Sequence, residues 1–394
     1  MPAFRRDSTD DEFLRRQREL RRAPNPETMA FLERLQAATF RRPPTPRPPT
    51  YNTPESIKSI IPNATADDIA MLRQYLTEVD SSIRPPTAYE GLFHTTVQLH
   101  AGQLDAAVAR FGRWPSPGVP PVFALMDVGH VNARTIRVPT TGDHVVLVDE
   151  ELLKFVAQLS HTVALAFHAQ PRNDNNALLS FLDVVLHYVM TGRVPDAQRA
   201  RLPQPSEVLA STITQGAETF VLAHEYVHVL EGHLNDGRHD VTGVTDGRVS
   251  QSLWSVVQEG LADTIGLNLT IAVLGEAGHD MRFAYWGAEL FLSANEIMLK
   301  AISQLRTGDE TGMREHERHQ HAIFDTRRQA MEYMMRNALQ QASPDKSASE
   351  QRWPTIRGEL HAVHDVLAHL WSELAPLLRI SHARGARPSS VWEN

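Results

Sequence analysis

The sequence predicts an α+β fold, predominantly helical, with a small antiparallel sheet followed by a helical body. Three features of the 394 residues carry this expectation. Short runs rich in β-branched and apolar residues occupy 122–126, 135–138 and 144–148, punctuated by Gly129, Pro139 and Gly142 as strand ends should be. From Asp149, a suitable N-cap, the apolar spacing turns helical and stays so, predicting helices near 150–168, 175–191, 206–235, 249–274, 279–306, 314–340 and 355–379. The first 50 residues differ from the rest: 11 arginines against 7 acidic residues give +4, and the remainder carries −12.

These first 50 residues close on a proline-rich stretch, 41–49, expected to be extended or disordered, so 1–50 reads as a basic arm and 51–394 as the folded domain. Short helices are expected at 10–22 and from Pro54 to about Asp80. Within the domain the sheet falls at about 120–150, the chemistry-bearing helices at 206–274 and a helical C-terminal part at 279–380. No internal repeat stands out.

Composition narrows the function classes. At 42% hydrophobic and 22% charged, the chain is that of an ordinary globular protein. A net charge of −8 disfavours nucleic acid as a partner. The charged first thirty residues lack a signal-peptide core, and the most apolar later stretch, 261–274, is interrupted by Asp263, Thr264, Asn268 and Thr270. The expectation is a cytoplasmic protein with no membrane partner. Cysteine is absent, so any metal must be held by imidazole and carboxylate groups, which suits catalytic rather than structural zinc.

The chemistry-bearing pattern is His224-Glu225-Tyr226-Val227-His228, inside a stretch free of Gly and Pro. Four residues slightly exceed one helical turn, so both imidazoles project from one face and can grip one ion. Glu225, one step round the helix, can reach a water at the metal without being a ligand. An apolar stripe of Phe220, Val221, Val227, Leu230 and Leu234 marks the helix as buried and turns the histidines inward. A third ligand is required. On the next helix Glu259 and Asp263 are again four apart, so one carboxylate can bind metal while the other accepts an imidazole N–H. His233, His239, Asp240 and Asp246 in the connecting segment are alternatives.

With Glu259-Gly260-Leu261-Ala262-Asp263 following it, this pattern resembles the gluzincin metallopeptidases. The stretch from Ala223 to His233 is similar to the HExxHxxxGH form of their intracellular bacterial members. The resemblance covers roughly residues 206–275. It implies one zinc ion per chain held by His224, His228 and Glu259, Glu225 as general base, Asp263 as acceptor for His224, and a protein or peptide substrate. Glu231 and Leu234 stand where a metzincin needs glycine and histidine, and no aspzincin pattern surrounds Asp240 or Asp246. One departure from thermolysin-like relatives is the roughly 55 residues of helical pattern between the sheet and the active helix, which leaves open which strand would border the substrate.

Other signals carry less. The run from Glu315 to His321, leading into Asp325-Thr326-Arg327-Arg328, offers His321 or His319 as an oxyanion donor at the start of a late helix, although Ala322 replaces the proline usual in related families. Tyr285 is a similar candidate. His361 and His364 could share a metal by spacing, but the polar flank of an amphipathic helix is the far commoner explanation. The competing function is a catalytically silent zincin-like binding or regulatory module, against which the intact Glu225 argues.

Overall fold

A computed structural model describes residues 92–112, 120–126, 133–138, 141–168, 175–194, 202–234, 256–342, 346–389 and 392. The arm at 1–50, the helices expected at 10–22 and 54–80, and His239, Asp240 and Asp246 lie outside these residues.

Three strands form where β-branched residues cluster: β1 (Val122–Met126), β2 (Ala133–Arg137) and β3 (His144–Asp149). Their order is β1-β3-β2, with β1 parallel and β2 antiparallel to β3. The sheet is therefore mixed, not antiparallel as the sequence suggested. Three consecutive runs read most simply as a meander, but β3 inserts between β1 and β2, so only the β2–β3 hairpin is antiparallel. Residues 145–148 of the central strand are fully buried, so its sequence is a continuous Val/Leu run without alternation.

The described residues also form eight helices: α1 (Leu92–Phe111), α2 (Glu150–His168), α3 (Asn175–Thr191), α4 (Gln204–Leu230), α5 (Val256–Glu276), α6 (Met281–Thr307), α7 (Glu315–Ala342) and α8 (Lys346–Ala383). The last seven lie where periodicity placed them. Helix α8 starts nine residues earlier than expected and runs through Pro354. Helix α1 was assigned no element from sequence, yet it buries Val97, Ala101, Leu104, Ala107 and Val108 in the core. Helices α2 and α3 account for the helical stretch between the sheet and α4.

Helix α4 is the hub, packing against α1, α2, α5, α6, β2 and β3. Pro205 in its first turn suits the fixed φ of proline there. Every residue from 216 to 228 is buried, so the histidine-bearing part is enclosed all round instead of showing one apolar stripe to a core. This enclosure needs close helix approach. At the crossing of α4 and α6 a Cβ on Gly287 would stand 2.2 Å from the Gly216 carbonyl carbon, and one on Gly216 would stand 2.5 Å from the Phe283 oxygen. No described helix is long and apolar enough to cross a membrane.

The crossing gives a stability test. Gly287→Ala should cost about 1–3 kcal/mol or more in urea unfolding, because the helices must separate. Gly358→Ala on α8, where a Cβ meets nothing within 4 Å, should instead stabilise by up to about 1 kcal/mol. Equal effects of the two substitutions would remove the close crossing.

Candidate metal centre

Helices α4 and α5 pack side by side and bring three donors together. His224, His228 and Glu259 each offer one ligand atom, all within 4.8 Å of one another, a group that could hold a metal ion. The Nε2 atoms of the two histidines stand 3.2 Å apart. Glu259 Oε2 lies 3.6 Å from His224 Nε2, and its Oε1 lies 3.9 Å from His228 Nε2. Both histidines are buried, whereas Glu259 is partly accessible, so the group opens on the Glu259 side.

Each imidazole is held from behind. His224 Nδ1 lies 2.9 Å from Asp263 Oδ1, and an ionised carboxylate can only accept, so this nitrogen carries the hydrogen. His224 Nε2 then presents a lone pair. His228 Nδ1 lies 2.9 Å from His233 Nδ1. Two lone pairs cannot face each other at 3.2 Å without a positive centre between them, either the hydrogen of an N–H or a metal ion. Burial works against a charge on His224, but the Asp263 hydrogen bond and the Glu259 carboxylate outweigh it and raise its pKa.

Asp263 is fully buried and carries a second load. Arg327 of α7 reaches it with Nε at 2.5 Å from Oδ2 and Nη2 at 2.7 Å from Oδ1, a two-pronged pair. The same Nη2 lies 3.3 Å from Glu259 Oε2. Burial pushes the Asp263 pKa up, but Arg327 and then His224 overcome it and hold the carboxyl down at about 2. Asp263 thus stays ionised behind His224, and a single guanidinium joins it to the third donor.

Glu225 is buried beside the donors, close enough for His224 and Glu259 to act on it electrostatically, and one of its oxygens is held by the sheet. The Thr135 hydroxyl of β2 lies 2.8 Å from Glu225 Oε2 and 2.9 Å from the Glu225 backbone oxygen, so its single hydrogen is shared between the carboxylate and the helix carbonyl. Burial pushes the Glu225 pKa up to about 7, against the pull of His224 and Thr135. Arg134, the residue before Thr135, also acts on it electrostatically.

The structure thus brings together His224, Glu225, His228, Glu259 and Asp263, and it does not bring His321 to them. His321 Nε2 pairs with Glu296 at 3.5 Å, and Glu296 pairs with Arg328 at 2.7 Å, in a separate ionic group between α6 and α7. Tyr285, also offered as an oxyanion donor, is fully buried and lies electrostatically among Glu289, Glu332 and Arg328. His361 and His364 turn to different carboxylates, Glu332 and Glu289, and share no site. Sequence reading missed Thr135, which it saw only as a strand residue. In the sequence Arg327 is only part of a donor-rich run and His233 only a candidate ligand. Compared with family models, curated proteins and solved structures, the chain matches none of them.

The raised Glu225 pKa sets a pH dependence in metal-stripped protein. The folded state holds this proton more tightly than the unfolded chain, so the stabilisation is complete below about pH 4.5 and lost as pH rises through about 7. Glu225→Gln should therefore be more stable than wild type at pH 8, by about 3 kcal/mol, with the gap closing below pH 5. A pH-independent gap in chemical unfolding would contradict the burial.

Proposed function

We propose that this chain is a zinc-dependent endopeptidase of the gluzincin type, with His224, His228 and Glu259 as ligands and Glu225 as general base. The observation that carries the reading is the pair of opposed Nε2 atoms, each imidazole held from behind, with a carboxylate on the open side. A tetrahedral zinc with bonds of about 2.0–2.1 Å holds neighbouring ligand atoms about 3.3–3.4 Å apart. The nitrogens at 3.2 Å, and the two Glu259 oxygens at 3.6 Å from one and 3.9 Å from the other, lie near that scale, so a small turn of the Glu259 side chain would complete the set. Two imidazoles and one carboxylate make a catalytic set, in which a fourth position stays free.

When bound, zinc supplies Lewis acidity, which activates water and polarises a carbonyl. The chain's own residues do the rest. Asp263 keeps the hydrogen of His224 on Nδ1, so Nε2 remains a donor to metal. Glu225, with a pKa of about 7, is matched to accept a proton from water and deliver it to the leaving amine at neutral pH. Thr135 orients the Glu225 carboxylate, so β2, an edge strand, is the strand beside which an extended peptide would lie. That supports β2 as the answer to the edge-strand question that the intervening helices raised.

Zinc content and hydrolysis test this reading together. The purified chain should carry about one zinc, and His224→Ala or His228→Ala should lose most of it. Glu259→Ala should weaken zinc binding severely, and Asp263→Ala by about 10–100-fold. Glu225→Gln should keep zinc and the fold but abolish cleavage, as read by terminal proteomics of cells expressing each form. Zinc binding without any cleavage by wild type would instead identify a silent binding module.

Thr135 allows a subtler test. Thr135→Val, of nearly equal shape, should leave zinc content unchanged and lower kcat by about tenfold or more, since the base loses its orienting hydroxyl. Unchanged kcat would remove Thr135 from the machinery.

A further inference from the structure

Beyond the ligands lies the question of what fixes His228. The end of α4 answers it through the backbone. Gly232 stands at φ 68, in the left-handed region, and the chain doubles back there. The His233 N–H donates to the His228 carbonyl at 3.0 Å, and the Gly232 N–H to the Val229 carbonyl at 3.1 Å. This is the Schellman pattern of helix termination, which needs a left-handed residue at the position Gly232 occupies. Its result is that His233 folds back over the last turn, and the two rings meet at a centroid separation of 5.0 Å, with Nδ1 facing Nδ1 at 2.9 Å.

We infer that His233 is a positioning residue that sets the tautomer of His228 by accepting its Nδ1–H, making it the counterpart, on the second imidazole, of Asp263 on the first. The inference rests on the proposed metal site. Only one nitrogen of the facing Nδ1 pair can carry the hydrogen. If His233 donates, His228 Nδ1 is the acceptor, its hydrogen sits on Nε2, and that atom hydrogen-bonds to His224 Nε2 at 3.2 Å. If His233 accepts, the hydrogen is on His228 Nδ1 and Nε2 presents its lone pair between the donors. Metal uptake therefore selects the second arrangement: a proton leaves His228 Nε2, the hydrogen between the rings passes to His228 Nδ1, and His233 Nε2 takes up a proton, so the change of tautomer releases no net proton. His233 is then neutral, with its own hydrogen on Nε2.

The two supports differ in kind. Asp263 is an ionised acceptor backed by Arg327, whereas His233 is a neutral acceptor that must hold the correct tautomer. The glycine-histidine pair at 232 and 233 thereby acquires a physical reason: glycine makes the turn, and the turn brings an acceptor to His228.

Side-chain geometry supplies a sharp test. Asparagine can place its Oδ1 where histidine has Nδ1, whereas glutamine places its oxygen nearer the Nε2 position and alanine has no acceptor. Zinc affinity of the full chain is measured by chelator competition, with thermal unfolding of each metal-free form as a control for folding. His233→Asn should bind zinc within about threefold of wild type. His233→Ala and His233→Gln should bind about 10–100-fold more weakly, with unchanged unfolding of the metal-free forms and with activity recovered at saturating zinc. Gly232→Ala, which strains the left-handed turn, should weaken zinc binding in the same direction while His233 is still present. If His233→Ala binds as tightly as wild type, or His233→Asn as weakly as His233→Ala, the positioning role is overturned while the metal site stands. A wild type that takes up no zinc overturns the metal site and this inference with it.

Discussion

Two imidazole nitrogens aimed at one another across 3.2 Å, deep in the protein, are the constraint around which the other groups are arranged. Two neutral rings in that orientation repel unless something positive lies between them, and in a buried setting the repulsion is not screened by water. The neighbouring groups all serve that positive centre. Glu259 faces it, and Asp263 keeps His224 aligned and is itself held ionised by Arg327. Removing Arg327 would leave a buried carboxylate uncompensated, which is more damaging than never having had the pair. The ion pair between α5 and α7 is therefore part of the same arrangement, since Asp263 holds His224 and Arg327 also reaches Glu259.

The fold supplies the enclosure that this arrangement needs. A helix exposed on one side would leave at least one imidazole hydrated, and its hydrogen bonds would exchange with water. In α4 the chain is buried on all sides from 216 to 228, with α6 brought against it at paired glycines and β2 closing the side that carries Glu225. The same enclosure that orders the donors also desolvates Glu225 and lifts its pKa to about 7. Packing and acid–base chemistry thus have one origin, the depth at which α4 is buried.

Much of this was legible in the sequence, because it depends on spacing within a helix. His224 and His228, or Glu259 and Asp263, share a face whatever surrounds them, and the turn signals bounded three strands and seven helices to within a few residues in most cases. What was not legible depends on contacts distant in sequence. Thr135 reaches Glu225 across 90 residues, and Arg327 reaches Asp263 across 64; neither distance leaves a periodic trace. The parallel pairing of β1 with β3 was hidden for the same reason, since local pattern marks a strand but not its neighbour. His321 was singled out for its position at the start of α7, whereas the structure pairs it with Glu296 of α6, a contact that the sequence pattern does not mark. Helix α1 was overlooked, though Val97, Ala101, Leu104 and Val108 follow helical spacing and would have disclosed it.

X-ray absorption at the zinc edge of the purified full chain tests the central claim most directly. It should show about one zinc per chain in a shell of four nitrogen or oxygen atoms at about 2.0–2.1 Å, with outer-shell scattering from two imidazoles. A chain without stoichiometric zinc, or a zinc shell with no imidazole scattering, would contradict it.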